Sequence, residues 1–227
     1  MFSKLRSLRA ELGIVDAALY TVDRALRLLS RDRASLARLY LMAQNLREES
    51  SLLRGRGGSI VVREATIEDV ERLDWVCGRD VARVRLSLGM VGLLAFRGDR
   101  FIGYIWVSLG SYRDELLPVE FVPSPAIVSA WSLDLFIHPD HRRSFAFPRL
   151  WAAVFALMRE RRLEWIMSSI SATNRLSIAS HESLGAVCVG HVVALVVGRL
   201  VAALQLPGPH FTVAWARRPR IIVRVPI

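Results

Sequence analysis

The chain has 227 residues, 52% of them hydrophobic, and a formal net charge of +10 from 31 Lys and Arg against 21 Asp and Glu. That length fits one large domain or a domain with an appendage, with ample apolar material for a core. Cys77 and Cys188 are the only cysteines, which excludes a disulfide framework and a CxxC metal site and fits a reducing cytoplasm. Only Lys4 is a lysine, and the arginines are spread along the chain instead of forming one dense run. The charge therefore does not point to a nucleic-acid partner. No stretch reaches the ~18 consecutive apolar residues of a spanning helix. Glu11, Asp16 and Asp23 interrupt the N-terminal apolar positions, which is not the pattern of a secretory signal.

Residues 1 to about 50 read as helical, with Leu5, Leu8, Leu12, Val15 and Leu19 and then Val22, Leu26 and Leu29 at helical spacing. This segment is a helical cap packed on the main domain or on a second copy, or a basic amphipathic element resting on an anionic membrane. "RGRGG" at 54–58 reads as a linker, so the expected division is a helical extension over 1–57 and a main domain over 58–227. "SIVVREA" then alternates like a strand. "TIEDVERLDWV" reads as a helix capped by Thr66 with Asp69 three residues on. The stretch Gly92–Gly110 has the form of a hairpin turning at Gly98. Another strand lies within Ser124–His138, with Leu133, Leu135 and Ile137 on one face, followed by an amphipathic helix, "FPRLWAAVFALMRER". "LEWIMSSIS" is a strand, "NRLSIASHESLG" a helix closed by Gly185, "AVCVGHVVALVV" a strand, and the tail adds one or two more. Strand–helix–strand steps after a hairpin predict a mixed α/β sheet flanked by helices.

The stretch "FIHPDHRRSFAFPRLW" runs from strand through a basic turn into a helix. If Ser144 caps that helix, the amides of Phe145, Ala146 and Phe147 point out of its N-terminus toward an anion. Arg142 and Arg143 stand beside them and can pair with a phosphate. A solvated helix cap with nearby arginines is the plainer alternative.

The order of elements, together with "DLFIHPDHRR" and "NRLSIASHESLGA", resembles the GNAT acyltransferase superfamily over about Ile60 to Val197. The resemblance implies a mostly antiparallel twisted sheet and acetyl-CoA, or another acyl-CoA, as co-substrate with no metal. It implies that Phe136, Ile137 and His138 offer a free strand edge to the pantetheine arm. Arg142, Arg143, Ser144, Phe145, Ala146 and Phe147 would then form the pyrophosphate loop. The loop is degenerate, because Phe145 and Phe147 stand where that family places glycines, and weaker phosphate binding is expected. Asn174 would contact the pantetheine or the wall of the donor tunnel, and His181, seven residues on, occupies the place where many members carry a tyrosine acid. A histidine there can protonate a leaving thiolate, with Ser177 and Ser180 as alternates.

Direct transfer also needs a base, and Asp134 is the candidate, an acid among apolar strand neighbours. The competing reading is a salt bridge between Asp134 and an arginine. Asp140 and His141 read as more exposed, and Glu115 and Glu120 are weaker candidates for the acceptor side. The expected activity is transfer to an amine of a small molecule or amino sugar in a ternary complex. Two alternatives remain: an acyl carrier protein as donor, or a non-catalytic GNAT-like domain at a membrane surface. The acceptor would be set by the first helix, the loop 111–125 and the C-terminal strands, and a homodimer is open through those strands. The expected location is the cytoplasm, with membrane association open.

Overall fold

The computed structural model describes residues 13–46, 57–114 and 117–226. Its elements are α1 (Ile14–Ser30), β1 (Ala34–Asn45), β2 (Ile60–Glu64), α2 (Ile67–Arg72), α3 (Arg79–Ser87), β3 (Val91–Arg97), β4 (Arg100–Ser108), β5 (Tyr112–Arg113) and β6 (Glu120–Ser124). They continue with β7 (Ser129–Ile137), α4 (Ala146–Glu160), β8 (Trp165–Ser171), α5 (Arg175–Ser183), β9 (Val187–Val197), β10 (Leu200–Leu206), β11 (His210–Trp215) and β12 (Arg220–Arg224). The fold is mixed α/β, and its strand pairing is mostly antiparallel. No helix among the described residues is long and apolar enough to cross a membrane.

The chain forms two compact units: Met1–Gln44 with Tyr112–Ser124 and Ser168–Ile227, and Asn45–Ser111 with Pro125–Met167. In the first unit β11, β10, β9 and β1 are successive neighbours, and β12, β6 and β5 form a small separate sheet. The expectation of helix throughout residues 1 to 50 needs correction. Helix covers Ile14–Ser30, but Ala34–Asn45 is a strand; residues 1–12 and 47–56 lie outside the described ones. β1 pairs antiparallel with β9 from Ala34 opposite Val197 to Ala43 opposite Val187. The ladder buries Leu41, Met42 and Ala43. Those gains outweigh a helix preference worth at most ~0.7 kcal/mol per residue. β10 was also not foreseen.

In the second unit β2, β3, β4 and β7 pair antiparallel in that order. α4 lies against this sheet, burying Leu150, Trp151, Val154, Phe155 and Met158 at helical spacing. Trp106 of β4 and Trp131 of β7 are fully buried. The predicted hairpin and α4 are present, and α3 is an addition that begins after Gly78. At the start of α2 the Asp69 carboxylate receives the Thr66 N–H at 2.8 Å and both Arg63 nitrogens at 2.6 and 2.7 Å. Those contacts, the Arg63 pair first, hold its pKa down at about 2 against the opposing effect of burial. Beside α4, Gly57 has a φ of 76°, and a Cβ there would come within 2.7 Å of the Phe145 Cβ. The end of the expected linker is thus seated against the start of that helix, with the Gly57 carbonyl accepting from Arg149 Nε at 2.9 Å.

Candidate functional site

Ten of the twelve expected site residues fall in the second unit, around the end of β7. β7 pairs along one edge with β4 up to Ile137. Its other edge pairs in parallel with β8 only through Ser129, Ala130 and Trp131, opposite Trp165, Ile166 and Met167. Beyond Trp131, among the described residues, that edge enters no ladder. Main-chain donors and acceptors of a strand edge are a template for an extended ligand. Phe136 and Ile137 sit on this stretch, and His138 ends it, its Nδ1 accepting from the Asp140 N–H at 3.4 Å.

The turn that follows differs from expectation in one respect. The cap of α4 is Phe145, not Ser144. Ser144 Oγ accepts from the Ala146 N–H at 3.2 Å and donates to the His141 carbonyl at 2.6 Å. Pro148, in the first turn, has no N–H to offer. Two of the amides that a helix N-terminus normally presents to an anion are therefore missing or occupied. Arg143 is exposed, and Arg142 reaches the Ile137 carbonyl with Nε at 3.4 Å. His141, expected to be exposed, is buried.

Asp134 stands at a bulge in β7, with a φ of 45° and a register shift opposite Tyr104 and Trp106. The bulge breaks the strict alternation expected of Leu133, Leu135 and Ile137: the outer two are buried and Leu135 is half-buried. It also aims the carboxylate at Arg85 of α3, whose Nη1 lies 2.5 Å from Asp134 Oδ2, with side-chain exposures of 3% and 29%. The guanidinium also lies 5.5 Å from the Trp106 ring centre. Tyr104 donates its O–H to the same Oδ2 at 3.3 Å. Burial pushes the Tyr104 phenol well above its ordinary pKa, with the Asp134 charge adding to the effect, so it remains a donor. Cys77 stands near this group, and burial raises its thiol. Arg85 and Tyr104 were not foreseen; their sequence distance from Asp134 offers no pattern to detect them.

Asn174 and His181 lie in the first unit. Asn174 is the cap of α5, its Oδ1 accepting from the Ser177 N–H at 3.2 Å. His181 is buried, and its Nδ1 donates to the Ser177 carbonyl at 2.7 Å, one turn back. That contact places the proton of the neutral ring on Nδ1. Burial lowers its pKa, opposed in part by the same hydrogen bond, so the ring is neutral at pH 7. Gly185 closes α5 as expected, with a φ of 88°. Glu120 lies on β6, and Glu115 is outside the described residues.

The first unit contains a second charged group that pattern reading missed. Asp16, buried on α1, receives Arg38 Nη1 at 2.7 Å, Arg175 Nη2 at 2.9 Å and the Tyr40 O–H at 3.2 Å. Arg38 and Arg175 also lie 5.3 and 5.7 Å from the Tyr40 ring centre. Next to this network is a cavity of about 350 Å³ whose lining includes Asp16, Asp23, Arg27, Arg38, Asp114 and Leu117. Its walls include both the first helix and the 111–125 loop, two of the three parts to which the acceptor side was assigned.

No protein-family model and no curated protein matches the sequence. Solved structures do resemble it. A Drosophila protein of 14% identity aligns over 79% of this chain and 58% of its own, with a TM-score of 0.52. A tandem GNAT protein from the clavulanic acid biosynthesis pathway aligns at 14% identity over 67% of this chain and 50% of its own, TM-score 0.48. A ribosomal-protein-alanine N-acetyltransferase from Brucella melitensis aligns at 21% identity over 55% of this chain and 83% of its own, TM-score 0.41. The chain thus spans little more than half of the first of these and half of the second. At such identities the likeness is one of fold. Strand, helix, hairpin, strand, basic turn, long helix, strand, helix and strand follow in the order expected from the sequence, with α3, β5, β6 and the bulge in β7 as additions.

Proposed function

We propose that the protein is an acyltransferase that moves an acyl group from a pantetheine thioester, acetyl-CoA or another acyl-CoA, to an amine. The observation that carries this reading is the edge of β7 left open after Trp131. A pantetheine arm has two amides in an extended chain, and they match a strand edge as an added strand would. Arg142 and Arg143, close by in sequence, supply cationic partners for phosphate. In the transfer, the amine nitrogen attacks the thioester carbonyl. A C–N bond forms, the C–S bond breaks, the amine gives up one proton and the thiolate takes one up. Asp134 is the group we assign to receive the amine proton, directly or through water. We assign His181 a structural part, because at pH 7 its one ring proton is committed to the Ser177 carbonyl.

A second reading is favoured by the start of α4. With the Ala146 amide occupied, no N–H at Pro148 and Gly57 seated on Phe145, the helix offers little to a pyrophosphate. A donor carried on an acyl carrier protein needs the strand edge but not the nucleotide end, and acidic carriers suit a +10 chain. Calorimetry with acetyl-CoA and with acetyl-phosphopantetheine tests both. Tighter binding of acetyl-CoA supports the first reading. Equal binding of the two transfers the assignment to a carrier-borne donor. No binding of either up to millimolar concentration overturns acyl transfer.

A further inference from the structure

α1 is oriented in the opposite sense to an ordinary surface helix, which buries its apolar stripe and exposes its polar one. Here Asp16, Tyr20, Asp23 and Arg27 line the cavity of the first unit. Ile14, Val15, Val22, Leu28 and Leu29 face outward, with exposures of 72%, 61%, 47%, 82% and 83%. Ala18 and Ala25 are exposed on the same face and join Val15, Val22 and Leu29 into one continuous apolar stripe.

The rotation of this helix is held by specific contacts. Asp16 is paired with Arg38 and Arg175, and Asp23 Oδ1 accepts the Leu36 N–H at 2.8 Å. Rolling the apolar stripe inward would break all three while turning two carboxylates out. The outward apolar face is therefore built into the unit.

Charge selects its occupant. Every exposed residue from Ile14 to Arg31 is apolar, threonine or arginine, and both carboxylates of the helix point inward. Arg24 and Arg31 border the stripe, Arg33 follows just past it, and Asp32 between the last two is the one exposed acid among the described residues 13–33. A second copy of this chain would bring a second net charge of +10 against the first. An anionic lipid surface attracts the same arginines and accepts the apolar side chains below its headgroups.

We propose that the outward face of α1 seats the protein on an anionic membrane surface, with Ile14, Val15, Val22, Leu28 and Leu29 inserted and Arg24 and Arg31 at headgroup level. This goes beyond the acyl-transfer reading and stands without it. The test is co-sedimentation of the full chain with phosphatidylcholine vesicles, with and without phosphatidylserine. The wild type binds the vesicles containing phosphatidylserine, more weakly as salt rises. Leu28→Asp combined with Leu29→Asp lowers that partitioning about tenfold or more. Its thermal melting is unchanged, because these side chains are exposed in the fold. Three outcomes overturn the proposal: no binding to phosphatidylserine vesicles, equal binding by wild type and variant, or a dimer in sedimentation equilibrium that the same substitutions dissociate.

Discussion

Replacing Asp16 with alanine should lower the stability of the chain by about 3 kcal/mol, the scale for removing one member of a buried charge network. The carboxylate is 3% exposed and is the common acceptor for Arg38, Arg175 and Tyr40. Without it, two guanidiniums that now share a negative charge are left together beside the Tyr40 ring. The same residue anchors α1 to β1 and α5 within the first unit, so helix signal should fall with stability. The check is a urea melt followed by circular dichroism, with Asp16→Asn beside it. Asparagine keeps the shape and some of the hydrogen bonding, so its loss should be smaller than that of alanine. A loss under about 0.5 kcal/mol for the alanine variant would mean that the network contributes no more than exposed ion pairs do.

The second large effect is at Arg85. Arg85→Met should lower stability by about 2–3 kcal/mol, less than for a fully buried pair because the Asp134 side chain retains 29% exposure. Removing both charges, as Arg85→Met with Asp134→Leu, should recover much of that loss, since a buried pair replaced by apolar groups is often neutral. This pair of variants also separates two roles for Asp134. If it moves the amine proton, the double variant is folded but its kcat falls sharply while donor affinity is kept. If Asp134 only anchors α3 to β7, the refolded double variant keeps its turnover.

Local signals carried much of the fold. The hairpin at Gly98, α4 and the stop at Gly185 are each fixed by contacts close in sequence, and each lies where periodicity and turn chemistry placed it. β1 was misread for a physical reason. "ASLARLYLMAQN" is rich in helix formers, but its partner β9 lies more than 140 residues on, and pairing there decides its state. α1 was read correctly as a helix, yet the direction of its apolar face was not legible. That depends on Arg38 and Arg175, which no helical pattern contains. The candidate site shows the same limit. The turn and the strand edge were legible from short motifs. The partner of Asp134 is 49 residues away, and the occupied Ala146 amide depends on a helix start shifted by one residue.

In the proposed acyl transfer, the open edge of β7 holds the pantetheine arm of the donor. The most direct measurement is hydrogen exchange of the peptide spanning residues 132–137, with and without saturating acetyl-CoA or acetyl-phosphopantetheine. Pairing of the arm along the edge predicts slowed exchange there, with the β2 amides unchanged. Donor binding that leaves exchange in 132–137 untouched would contradict the account.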